Sequence, residues 1–362
     1  MRDIYEHYKI ELTTVGPVFV GNGRDYSKNE YIIDNGRVYI LNYAKFISYL
    51  DKRRLLPKYE SFMLDDYDNL CVWLQNNNVN KLDYDNFVVN CYDYRGIGKK
   101  HTVKACIKDP YGNPYVPGSS LKGILRTMLL ALDIRENPDK YDDLKRGLLG
   151  ELDNKYSMLN GEKKLNDISF VDGIRVSKHK LNQMNSIIIS DSEPLDVKDL
   201  GLYIKNDKSL DGKKTKVLPI YREAIQPKNK IYFDLTLDHS RVEDNIDITI
   251  DTINRAIANF SKLYYKFFLS KFSGFKYPGD DMIWIGGGSG FVSKTVVYAL
   301  FGDDSSKRGC DNMGVEVTRR LLDKQFWKDP KHRNDKITSP HTLKLTQDDY
   351  QYGQCRIRFI KD

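Results

Sequence analysis

The chain has 362 residues, with 57 Lys+Arg against 50 Asp+Glu and a formal net charge of +7. That length can hold two domains, each with its own core, and the charge suits a polyanionic partner without requiring one. Five scattered cysteines without a CxxC pair exclude a disulfide framework, and no apolar run approaches a signal segment or a membrane span, so the chain reads as cytoplasmic. The 25 tyrosines supply flat amphipathic rings suited to stacking on bases and to interfaces.

Alternation over residues 8–15 predicts an opening strand, with Ile10 and Leu12 on one face. It runs into Gly16-Pro17-Val18-Phe19-Val20-Gly21-Asn22-Gly23-Arg24, where Gly21 and Gly23 permit close backbone approaches. Residues 30–34 and 37–41 flank Asn35-Gly36, a strong hairpin signal. Tyr43, Phe46, Ile47 and Leu50 then repeat at helical spacing. From about residue 52 to 98, apolar residues such as Phe62, Leu70 and Trp73 are interrupted by Asn76-Asn77-Asn78 and many aspartates. This predicts helices and loops inserted on a first domain. Tyr92, Tyr94, Arg95, Lys99, Lys100 and His101 close that region in an aromatic, basic cluster that fits nucleic-acid contact and a solvated edge equally.

The turn-rich Asp109-Pro110-Tyr111-Gly112-Asn113-Pro114 leads into Tyr115-Val116-Pro117-Gly118-Ser119-Ser120-Leu121-Lys122-Gly123-Ile124-Leu125-Arg126. Ser119 or Ser120 suits an N-cap, and Met128, Leu129 and Leu132 continue the helix. Free N–H groups at a helix start attract anions, and Lys122 and Arg126 lie four apart on one face. The local chemistry is that of a phosphate cradle; a capped helix with two solvated cations is the plainer alternative.

Residues 139–166 are highly charged and partly helical, and a second β-rich stretch starts near Phe170. Ile187-Ile188-Ile189 reads as a buried strand ending in the polar turn Ser190-Asp191-Ser192. Residues 202–204, 217–223 and 230–238 continue the β pattern, with 205–216 as a basic hairpin tip. A long helix is predicted over 248–272, with Ile250, Ile253, Ile257, Phe260, Tyr264 and Phe267 on one face. In Trp284-Ile285-Gly286-Gly287-Gly288-Ser289-Gly290-Phe291-Val292-Ser293-Lys294-Thr295, Ser293 stands where a Walker A motif needs its last glycine. Four glycines still expose N–H groups and Lys294 adds charge, so RNA phosphate is the natural guest, with a purely structural turn as the alternative. A final strand covers 355–360.

Six histidines show no metal spacing such as HxH or HExxH, so neither a metal nor a cofactor is expected. His101 and His341 are the candidates for a general base, but spacing pairs neither with an acid or a lysine. No nucleophile constellation is present, and no catalytic residue is assigned.

Pro117-Gly118-Ser119-Ser120-Leu121-Lys122-Gly123 followed by Arg126 resembles the signature of the RAMP proteins of type III CRISPR effector complexes. Around it, residues 14–23 are similar to that family's opening strand and Thr-Pro-x-x-Ile-Gly-x-Gly loop, with Val15-Gly16 a loose fit. Ile188 to Ser192 looks like its Val-Ser-Asp-Ser turn. Tyr221-Arg222-Glu223, with Pro227 and Phe233-Asp234-Leu235, resembles its Arg/Glu-bearing entry to a second module. Residues 284–295 resemble its second glycine-rich loop. The long segment beyond, with Pro340-His341-Thr342-Leu343-Lys344, is more like the Csm subunit that caps the 3′ end of crRNA than the repeated backbone subunits.

The resemblance implies an α+β fold of two ferredoxin-like (RRM-like) RAMP modules with helical and loop insertions. Residues 1–168 would form the first, with its insertion at about 52–98, and 169–362 the second, with the glycine-rich loop 286–295. It implies a non-catalytic subunit of a type III-A Csm complex, serving crRNA maturation and antiviral defence. Partners would be crRNA and other Csm subunits, the terminal backbone subunit above all, with target RNA and host trimming nucleases as further candidates and no membrane. Carried over by position, Gly21, Gly23, Ser119, Ser120, Lys122, Gly123, Arg126, Arg222, Gly286, Gly287, Gly288, Gly290, Ser293, Lys294 and Thr295 would face RNA. Three other readings stay open: a metal-independent endoribonuclease that processes crRNA, a backbone RAMP subunit, and a cap that touches only protein.

Overall fold

A computed structural model describes residues 4–27, 29–64, 69–93, 102–153, 184–213, 215–241, 248–306, 308–326, 328 and 331–361. The predicted basic cluster at Tyr94, Arg95, Lys99, Lys100 and His101, and the β stretch expected near Phe170, lie outside these residues. The strands are β1 (Tyr5–Thr14), β2 (Gly21–Tyr26), β3 (Tyr31–Asp34), β4 (Arg37–Leu41), β5 (Val88–Asp93), β6 (Thr102–Cys106), β7 (Ile187–Ile189), β8 (Leu200–Ser209), β9 (Thr215–Ile225), β10 (Lys230–Asp238), β11 (Met282–Trp284), β12 (Thr342–Leu345) and β13 (Gln354–Lys361). The helices are α1 (Tyr43–Lys52), α2 (Leu56–Met63), α3 (Leu70–Asn76), α4 (Gly118–Glu136), α5 (Asp142–Asp153), α6 (Ile250–Phe267), α7 (Val297–Phe301) and α8 (Met313–Gln325).

The first sheet has the order β11-β13-β1-β10-β7, every pair antiparallel. Its centre is β1, whose period-two pattern buries Tyr8, Ile10, Leu12 and Thr14 on one face. Along the chain the sheet is built as β1, α4, β7, β10, α6, β11, β13; apart from the edge strand β11, this is a strand–helix–strand–strand–helix–strand series. The two helices pack against one another. Thr249 caps α6 by accepting the Thr252 N–H at 3.1 Å, and Ile253, Ile257, Phe260, Leu263, Tyr264 and Phe267 line its buried face. The helix ends at Phe267, short of the predicted 272, and continues as a 3₁₀ turn over Leu269–Lys271. Burying the 3.6-period face of α4 and α6 is what closes this core.

Residues 187–189 form an edge strand rather than a fully buried one. Ile187 is enclosed, but Ile188 is 43% exposed because successive side chains face opposite ways.

The second sheet runs β12-β8-β9-β6-β2, with only β6 and β9 parallel. The predicted hairpin is the β8–β9 pair, but its strands extend to Ser209 and from Thr215. Lys205, expected at the tip, therefore sits within a strand. A third sheet, β3-β4-β5, combines with α1, α2 and α3 around a separate core of Phe46, Leu50, Tyr59, Phe62, Leu74 and Phe87. Asn35 (φ 47°) and Gly36 (φ 73°) make the tight turn the sequence signals.

Both five-stranded sheets take strands from both ends of the chain, so a line drawn at residue 168 crosses them. The reason is non-local pairing: β1 lies between β10 and β13, and hydrophobic period alone does not state a strand's partner. No described helix is long and apolar enough to cross a membrane.

Candidate nucleic-acid interface

The helix start singled out by the sequence is built differently from expectation. Neither Ser119 nor Ser120 caps α4; the N-cap is Pro117, without a side-chain bond. The Gly118 N–H donates instead to Asp191 Oδ1 at 2.8 Å. A carboxylate far along the chain thus takes the anion position that the helix dipole favours. Gly118 is required by this contact, since a Cβ there would lie 2.2 Å from the Ser190 carbonyl oxygen and 2.5 Å from that of Ile189. Ser119 and Gly123 are exposed, Ser120, Lys122 and Arg126 half-buried, and the two cations already interact with other groups. Asp191→Ala should cost about 1 kcal/mol, read as a lower urea midpoint at unchanged slope.

A different cationic centre forms where β9 passes the two glycine-rich loops. Arg222 and Glu223 are consecutive on β9 and so project to opposite faces. The Arg222 guanidinium sits over the rings of Phe19 and Tyr352, 5.5 and 5.2 Å from their centroids. Arg222 is only 8% exposed, yet its Nε and Nη1 have no hydrogen-bond partner among the described residues. Buried donors are almost always satisfied, and a buried charge still more so.

Further cations surround it. Lys294 is exposed, and desolvation together with the Arg222 charge holds its ammonium below the ordinary lysine range. Lys205 is lowered likewise, by burial first and then by Lys344 and Arg222, against the opposing pull of Asp207. Lys344 pairs with Asp207 at 2.7 Å. Two depressed lysines beside an arginine with two unpaired donors give a site of net positive potential, partly offset by Asp207 and suited to an anion with several acceptor oxygens.

The two glycine-rich loops meet at Phe19. The Gly287 N–H donates to the Phe19 carbonyl oxygen at 2.7 Å, and a Cβ on Gly286 (φ 78°) would lie 2.3 Å from that oxygen. A Cβ on Gly288 (φ 94°) would strike the Tyr352 ring at 2.9 Å, and one on Gly21 the Phe19 ring at 2.8 Å. These glycines are therefore needed first by packing. Gly290 (φ 90°) and Gly23 (φ 83°) have open space around them, with Lys344 Cγ the nearest neighbour of Gly290.

Ser293 donates to Ser289 Oγ and the Gly290 carbonyl, both at 3.0 Å, and Thr295 Oγ1 accepts the Val297 N–H at 3.3 Å. Both hydroxyl residues are buried and committed to the loop's own bonds. The structure thus brings Gly21, Gly286, Gly287, Gly288, Arg222 and Lys294 into one neighbourhood. It adds Phe19, Tyr352, Lys205 and Lys344, for which the only sequence signals were loose ones: an aromatic between glycines, and lysines in β strands.

On the opposite face of β9, Glu223 is fully buried. It accepts from Tyr92 Oη, from the Cys106 N–H at 3.0 Å and from Lys108 Nζ at 2.7 Å. This network ties β9 to β5 and β6, and fixes the strand that carries Arg222.

A family model of the RAMP superfamily matches residues 11–293. The CRISPR system Cms protein Csm5 of Streptococcus thermophilus is 31% identical over 82% of this chain and 82% of its own. Its counterpart from Mycobacterium tuberculosis (strain CDC 1551 / Oshkosh) is 26% identical, covering 99% of this chain and 98% of its own. In fold, the chain resembles one chain of a cryo-EM structure of a Csm-crRNA-target RNA ternary complex of a type III-A CRISPR-Cas system. The TM-score is 0.69 at 18% identity, covering 97% of this chain and 100% of the other. It also resembles the crystal structure of T.onnurineus Csm5, with a TM-score of 0.64 at 18% identity over 96% and 99% of the two chains. The chain belongs to the RAMP superfamily and, within it, to the Csm5 family of CRISPR system proteins.

Proposed function

We propose that this chain is an RNA-binding subunit of a type III-A Csm effector complex, capping the backbone filament and holding the 3′ region of crRNA. The observation that carries the RNA contact is the buried Arg222, stacked between two aromatic rings, with Nε and Nη1 unpartnered among the described residues and Lys294 and Lys205 beside it. An RNA phosphate would supply acceptor oxygens and neutralise the surrounding cations once the side chains that enclose Nε and Nη1 move aside, and this contact reads backbone rather than base. The helix start at Ser119, Lys122, Gly123 and Arg126, with Ser119 and Gly123 exposed and the two cations half-buried, extends the proposed RNA path. Gly23 and Gly290 offer close approach without a side chain in the way.

The series β1, α4, β7, β10, α6, β13 supports one ferredoxin-like module, and the sheet around β8 and β9 is proposed as the core of a second. The role is assembly and crRNA maturation by accommodating trimming nucleases, with no RNA cleavage by this chain. The terminal backbone subunit is the proposed protein neighbour, and target RNA a further contact. Tagged chain purified from cells carrying the whole system should bring down crRNA and the other Csm subunits, with one copy of this chain per complex. Recovery of the protein subunits without crRNA, after mutation of Arg222 alone, would still agree with the RNA contact. Recovery of neither RNA nor Csm subunits by the unmutated chain would overturn the assignment.

A further inference from the structure

We propose that His332, Asp335 and His341 hold a divalent transition-metal ion of the zinc class. The three lie in the connection from α8 to β12, and none of them is among the residues assigned to RNA above, although Lys344 lies within electrostatic reach of His341. Asp335 is 5% exposed. Its Oδ2 lies 3.0 Å from His332 Nδ1 and accepts the Ser339 hydroxyl at 2.8 Å, and its Oδ1 lies 2.7 Å from His341 Nδ1. The three ligand atoms fall within 4.8 Å of one another. Bonds of about 2.0–2.2 Å around a tetrahedral ion set neighbouring ligand atoms about 3.3–3.6 Å apart, so small rotations of the three side chains would bring them onto one ion.

Two further observations favour a cation there. First, the ligands stand on a packed frame: Tyr298 Oη donates to the Ser339 carbonyl at 2.9 Å, the Asp335 N–H to the His332 carbonyl at 3.0 Å, and the Asp311 N–H to the Lys336 carbonyl at 2.8 Å. Such pre-positioning is what a metal site requires. Second, Asp323 of α8 lies within electrostatic reach of both His332 and Asp335, and its Oδ1 is buried with no hydrogen-bond partner among the described residues. Asp335 thus faces both imidazoles and Asp323 faces His332, with Arg319 and Arg333 near Asp323 and Lys344 and Asp207 near His341 as the other charges about the group.

Two imidazoles and one carboxylate suit zinc and its neighbours rather than magnesium or calcium, which prefer oxygen throughout. Three protein ligands leave a position for water. The ion would fasten the connection that leads directly into β12, the strand carrying Lys344 beside the arginine site. The spacing His-x2-Asp-x5-His matches no common zinc motif, which is why the sequence alone gave no signal.

The test uses the full chain, stripped with a chelator and titrated with Zn²⁺ by calorimetry and with Co²⁺ by visible absorption. One equivalent should bind, with Co²⁺ bands of low coordination number. The double substitution His332→Gln/His341→Gln should weaken binding on the order of a hundredfold or more. His7→Gln, at an exposed histidine on β1, should leave it unchanged. Because Asp335→Asn removes the acceptor of a buried network, the histidine pair carries the test, with the circular dichroism spectrum confirming that the variant folds. Only millimolar or weaker Zn²⁺ binding by the wild-type chain, or undiminished binding by the folded double variant, would overturn the site. Neither result depends on whether the chain binds RNA.

Discussion

Glu223→Ala should destabilise the fold by about 3–5 kcal/mol, the largest stability effect expected of any single substitution considered. Glu223 is fully buried and serves Lys108, Tyr92 and the Cys106 N–H together. Its removal strands an ammonium whose side chain is 17% exposed, along with a phenol and a backbone donor. Replacing both charges, as in Glu223→Leu with Lys108→Met, should recover the part of that loss due to the stranded ammonium, while the Tyr92 hydroxyl and the Cys106 N–H remain without their acceptor. Urea unfolding of Glu223→Ala and of the double variant checks this. A double variant as unstable as Glu223→Ala would contradict it.

The same pair gives the fold an alkaline limit. Burial lowers the Lys108 pKa, but the Glu223 charge and Tyr26 outweigh it and leave it raised above the ordinary 10.5. A raised lysine contributes stability that is complete below its unfolded value and is lost as pH climbs through the folded value. The wild-type chain should therefore lose stability above about pH 10.5 more steeply than the double variant.

What the sequence made legible was local. The alternation in β1, the Asn35-Gly36 turn and the apolar face of α6 each state their own conformation within a few residues. Sheet assembly was not legible, because β1 finds its partners more than two hundred residues away in β10 and β13. The helix start at Gly118 shows the same division. Pro117 and Gly118 mark the boundary, but the anion that satisfies it, Asp191, belongs to a turn read as polar and matched by resemblance, with no partner assigned to it. Arg222 and Lys294 were candidates by resemblance; their shared neighbourhood with Phe19, Tyr352 and Lys205 needed the register of β8 with β9 and the contact between the two glycine loops. Lys205 was missed because a lysine-rich segment reads as a loop, whereas the strands continue through it.

Arg222 offers the clearest functional test. Arg222→Met keeps the aliphatic stem between Phe19 and Tyr352 while removing the charge and every donor. A charge-assisted hydrogen bond to phosphate is worth enough that crRNA affinity should fall about tenfold. Adding Lys294→Ala should weaken binding further, because the second cation lies in the same field. Affinity should fall alike for crRNAs of different sequence, since a phosphate contact carries no base preference.

The most direct measurement is the salt dependence of crRNA binding by wild-type chain and Arg222→Met, taken by filter binding across a range of NaCl concentrations. Each phosphate neutralised on a single strand contributes about 0.7 to the slope of log K against log salt. The variant should bind more weakly at low salt with a slope shallower by about that amount. An Arg222→Met chain with the affinity and slope of the wild type would contradict RNA binding at this site.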